Sequence, residues 1–98
     1  MIKRSSTNVG IAWYAREDWP RALNVFSDRL LLPSSYDKWL TSAEFLADSI
    51  RMKGATPVKV YIDPASFSKW CQQNGFSPNA KARSEYASRL ARLAEAQD

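Results

Sequence analysis

The sequence contains no histidine and a single cysteine. Without histidine the chain lacks the commonest general base, the commonest metal ligand and the side chain that titrates near neutral pH. With Cys71 alone no internal disulfide can form, and the cysteine count gives no sign of an oxidising compartment. A Gly-rich phosphate loop, a Cys/His metal spacing and a Ser-His-Asp set are all missing. No apolar run approaches the roughly 20 residues of a membrane span, and the first residues carry no signal-peptide core. The expectation is a cytoplasmic protein with no cofactor, no metal and no membrane among its partners. A non-enzymatic role is the leading expectation, although Asp, Lys, Arg and Tyr alone can support chemistry.

What is present fits one domain. The chain has 98 residues, 45% hydrophobic and 24% charged, the balance of a globular protein. Aromatics reach 12%, with four Trp. That load is heavy for so small a core, and any of it left outside would mark a partner surface. The net charge of +4 permits an acidic partner or nucleic acid without requiring either.

Residues 1–7 read as a flexible basic tail, in which Lys3 and Arg4 could touch a phosphate. The domain itself is expected over 8–98. Residues 8–14 read as a strand, with Val9, Ile11 and Trp13 on one face and Gly10, Ala12 and Tyr14 on the other. The small residues would let a backbone or a ligand come close. Asp18 and Pro20 announce a helix to about residue 28, and Leu30-Leu31-Leu32 runs into Pro33. Ser34 with Asp37 resembles a capping signal for a helix over about 36–53. Its apolar face is Tyr36, Trp39, Leu40, Ala43, Leu46, Ala47 and Ile50, with Phe45 and Met52 left over as a second stripe.

Val58, Val60 and Ile62 alternate with Lys59 and Tyr61 in a second strand. Asp63-Pro64 supplies an N-cap and a first-turn proline, and Gly75-Phe76 a left-handed stop. A last helix follows over about 79–96, with Ala82, Tyr86, Leu90, Leu93 and Ala94 on its apolar face. The order strand-helix-helix-strand-helix-helix predicts a small two-layer α/β domain with a two-stranded parallel sheet. One sheet face should carry Val9, Ile11 and Trp13 with Val58, Val60 and Ile62. The open edges of so small a sheet favour a homodimer.

Candidate sites are few. Asp63 stands at the carboxyl end of a strand, where ligands collect in α/β folds, but it is also a natural helix cap. Arg83 falls on an apolar stripe, from which it is expected to snorkel to solvent, the alternative being an anion or an acid such as Asp63. Tyr14 and Tyr61 are the aromatics expected outside the core, and with Asp63 and Arg83 they would make an anion-binding or catalytic pocket if they converged. Lys81, Arg89 and Arg92 share the solvent face of the last helix and could lie on a phosphate backbone. Cys71, beside Trp70, reads as a core residue.

Several segments together resemble a group of small bacterial proteins with no assigned function. They are Gly10-Ile11-Ala12-Trp13-Tyr14, Asp18-Trp19, Tyr36 to Glu44, Val58 to Pro64, Phe67 to Cys71, and Ala82 to Ala87. The resemblance spans most of the chain and implies a stand-alone bacterial domain. It implies no reaction, cofactor or site residue. The leading expectation is an interaction module that binds a protein partner, or itself, through aromatic and sheet-edge surface. A nucleic-acid-binding regulator and a small enzyme or anion site are the alternatives.

Overall fold

The computed structural model of the chain describes residues 7–96, the side chains of 94–96 excepted. Alternating apolar residues form β1, Asn8–Trp13, and β2, Thr56–Tyr61. Four α-helices accompany them: α1 (Trp19–Val25), α2 (Tyr36–Met52), α3 (Pro64–Asn74) and α4 (Ala80–Ala96). Short 3-10 turns at Arg16–Asp18 and Arg29–Leu31 flank α1. β1 and β2 pair in parallel, which gives the expected α/β order around a two-stranded sheet.

The register departs from the expected face pairing. Gly10 lies opposite Val58, Ile11 opposite Lys59, Ala12 opposite Val60 and Trp13 opposite Tyr61. Partners in a parallel ladder point to the same side, so Ile11 and Trp13 share a face with Lys59 and Tyr61. The Lys59 ammonium accordingly sits 4.5 Å over the Trp13 ring. The other face carries Gly10, Ala12, Val58 and Val60, which pack against Ala87 and Ala91 of α4. The α2 side chains Trp39 and Glu44 meet Trp13 and Lys59 on the first face. Helices thus cover both faces of the sheet, a point the sequence had left open.

Small residues make the α4 side possible. A Cβ on Gly10 would stand 2.6 Å from the Ala87 carbonyl oxygen and 3.0 Å from the Ala91 Cβ. The close approach anticipated for Gly10 is therefore that of a helix backbone. On the opposite face Trp13, Tyr14, Trp19 and Trp39 form one buried cluster, with the Tyr14 and Trp39 rings 4.9 Å apart. Each such ring pair contributes about 1 kcal/mol beyond its buried area. Tyr14 is thus a core residue, contrary to expectation.

The helix ends follow local chemistry. Asp63 accepts from the Ser66 backbone N–H at 3.0 Å and Pro64 opens α3, as expected. Gly75 stops that helix at φ 76°, and Phe76 stacks on Trp70 at 5.0 Å. Ser35, one residue later than expected, caps α2 by accepting from the Lys38 N–H. Asp18 makes no cap; its carboxylate pairs with Arg21 instead. α1 also stops early, because extended Phe26 turns its ring into the core and the Ser27 N–H donates to the Pro78 carbonyl. The tail expected over 1–7, with Lys3 and Arg4, lies outside the described residues except for Thr7, whose carbonyl accepts from the Thr56 N–H at 2.8 Å.

Candidate functional site

A two-stranded sheet leaves two open edges, and the parallel ladder decides which backbone groups lie on them. The Thr56 N–H donates to the Thr7 carbonyl, and the Ile62 N–H donates to the Trp13 carbonyl. In a parallel ladder each inward residue offers both its N–H and its C=O to the neighbouring strand. Thr7, Val9, Ile11 and Trp13 therefore face β2, and Asn8, Gly10 and Ala12 turn their backbone groups outward. No described residue satisfies the outward groups of Gly10 and Ala12. On β2 the outward residues are Pro57, Lys59 and Tyr61. Pro57 has no N–H to offer, which blunts that edge against strand addition.

The outer edge of β1 lies in a groove. A cavity of about 450 Å³ runs along Ile11 and Ala12, walled by Leu46 and Ile50 of α2 and by Ser84 of α4. A second, of about 340 Å³, continues past Val9 and Gly10 to Thr7, walled by Ser88 and Arg92 of α4. Both cavities touch Val9 and Gly10, so together they follow the whole strand. Leu46, expected on the buried face of α2, is 48% exposed on the groove wall. The left-over stripe, Phe45 and Met52, is open to solvent beyond it, as are Leu30 and Leu31. Leu93, expected on an apolar face, is exposed as well.

The four residues of the expected anion pocket separate. Arg83 is 7% exposed and pairs with Asp28, Nη1 to Oδ1 at 2.8 Å and Nη2 to Oδ2 at 2.9 Å. Its guanidinium also lies 4.4 Å over the Phe26 ring. That two-pronged bond holds the Asp28 carboxyl below its usual value, against the opposing effect of burial. Asp63 does not meet Arg83. Its carboxylate binds the Ser66 N–H and hydroxyl, and these two hydrogen bonds hold its pKa down. Tyr14 lines the groove beside Arg83, and burial pushes its hydroxyl far up. Tyr61 is 61% exposed and lines none of the cavities along β1.

The basic face of α4 divides too. Arg89 binds Glu85 at 2.9 Å and lies 5.2 Å over the Trp70 ring. Lys81 and Arg92 make no ion pair among the described residues. Cys71 is buried in the core, as expected, and burial raises its thiol pKa. No group of three His, Cys, Asp or Glu side chains gathers among the described residues where a metal ion could sit. No described helix is long and apolar enough to cross a membrane.

Sequence reasoning missed Asp28 and the groove itself. The spacing Lys81, Ser84, Ser88, Arg92 was a usable signal, because steps of three and four place all four on one side of α4. No family model matches the chain, and no curated protein or solved structure matches it.

Proposed function

We propose that the protein is a small non-enzymatic interaction module that binds a protein partner, or a second copy of itself, through the edge of β1 and the apolar side chains beside it. The observation that carries this reading is the outward backbone of Gly10 and Ala12, without a partner among the described residues, in an open groove. Exposed strand edges recruit further strands, and proteins ordinarily cover or blunt them. Leu46, 48% exposed on the groove wall, adds apolar surface next to that edge. The resemblance to small bacterial proteins and the lone buried cysteine support a place in the bacterial cytoplasm.

The alternatives have weaker support. Nucleic-acid binding through Lys81, Arg89 and Arg92 loses Arg89 to Glu85 and Trp70. An anion or catalytic site at Asp63, Arg83, Tyr14 and Tyr61 lacks free groups, since Asp63 and Arg83 are already bonded and Tyr14 is held protonated.

Light scattering across a concentration series, at low and high salt, tests the reading, together with capture from the native cell. Wild type is compared with Leu46→Asp. Association or capture that the substitution abolishes is expected. Association or capture that it leaves intact contradicts the reading, and so does a monomer that captures nothing.

A further inference from the structure

We infer that the groove along β1 receives an extended, acidic peptide segment, which adds to the sheet as a third strand. The inference rests on the β1 edge being the binding surface. The floor of the groove offers alternating N–H and C=O groups with no partner, and the complement of such a row is another extended backbone. β1 spans six residues, so the groove floor is about 20 Å long, the reach of a six-residue strand.

The walls set the side chains. A strand sends successive side chains to opposite faces. Those turned to α2 meet Leu46 and Ile50, so they are apolar. Those turned to α4 meet Ser84 and Ser88, with Arg92 on the same wall; Lys81 lines neither cavity but stands one turn before Ser84 on that helix. Both cations are exposed, and neither has an acidic partner among the described residues. Of the other described cations, Arg16, Arg21, Arg51, Lys59, Arg83 and Arg89 each have one, while Arg29, Lys38, Lys53 and Lys69 have none but line neither cavity. The matching segment alternates apolar residues with Asp or Glu.

The same charges weigh against a second copy in this groove. Two β1 edges joined antiparallel are related by a two-fold axis perpendicular to the sheet. That axis sets α4 beside its own copy on one face. Lys81 and Arg92 would then face Arg92 and Lys81 of the second copy, an arrangement of like charges that disfavours the pair.

The test is fluorescence anisotropy on the full chain with a labelled, end-capped ten-residue peptide of alternating Val and Glu. Three comparisons accompany it: the same peptide with Lys for Glu, the Val/Glu peptide N-methylated at alternate residues, and the Lys81→Glu/Arg92→Glu protein. The two substituted residues are exposed, and circular dichroism confirms that the variant is folded. The expected result is saturable binding of the Val/Glu peptide that weakens with salt and falls about tenfold or more in each comparison. Equal binding of the N-methylated peptide overturns strand addition, and equal binding by the charge-reversed protein overturns the acidic match. If no peptide binds but Leu46→Asp dissolves a dimer, the acidic segment is wrong and the β1 edge still serves as the interface. If no peptide binds and Leu46→Asp changes no association, both readings fail. A single-stranded oligonucleotide of equal charge that binds in place of the peptide, and is lost in the charge-reversed protein, overturns the inference in favour of nucleic acid.

Discussion

Arg83 shows what one residue's environment can decide. A cation on the apolar stripe of α4 was legible, although snorkelling rather than pairing was its favoured outcome. The acid was not, because Asp28 lies 55 positions away and the early end of α1 is what brings it there. Breaking a buried pair strands a charge, so Asp28→Asn should lower unfolding stability by about 3 kcal/mol at neutral pH, measured by urea denaturation. The pH dependence has a definite sign. The folded carboxyl titrates below its unfolded value, so its contribution is complete above that value, near pH 4, and is lost as pH falls through the folded pKa. Wild type and Asp28→Asn should therefore converge in urea midpoint as the pH falls through the folded pKa. Asp63 is the opposite case, since its cap was readable from Asp63-Pro64 alone. Asp63→Ala should lower the melting temperature modestly and leave association unchanged, which separates a cap from a site.

Among the elements, the alternation within each strand was plain in the sequence, but the alignment between strands was not. A hairpin turn fixes register locally; a parallel pair joined through α1 and α2 has no such turn. Here the packing of α4 decides the face. Gly10, Ala12, Val58 and Val60 present a surface low enough for Ala87 and Ala91 to reach the sheet. Grouping Val9, Ile11 and Trp13 with Val58, Val60 and Ile62 assigned faces by hydrophobicity alone and ignored side-chain size. The packing can be tested directly. Gly10→Ala must push α4 away from the strand, and should cost about 2 kcal/mol in urea denaturation. Ala12→Gly at the next outward position would create only a small void and should cost less.

At the scale of the whole molecule, four helices enclose a sheet of only two strands and leave its edges unequal. Pro57 blunts one edge, and the other opens into a groove. The heavy aromatic content would mark a partner surface wherever it lay outside the core. Most of that content is instead spent on the core around Trp39, and the exposed apolar surface comes from Leu30, Leu31, Phe45, Leu46, Met52, Tyr61 and Leu93. Phe45→Ser with Met52→Ser should shift unfolding stability by no more than about 0.5 kcal/mol per site, because both side chains are exposed.

Amide hydrogen exchange on β1 probes the open edge most directly, because it reads each backbone N–H separately. In the chain alone, Ile11 and Trp13 should exchange slowly, since their N–H groups face β2, and Gly10 and Ala12 should exchange fast. Loaded with the segment that the titrations identify, peptide or second copy, the Gly10 and Ala12 amides should slow at least tenfold. Gly10 and Ala12 amides already as protected as Ile11 and Trp13 in the free chain, or unchanged on loading, would contradict the β1 edge as the binding surface.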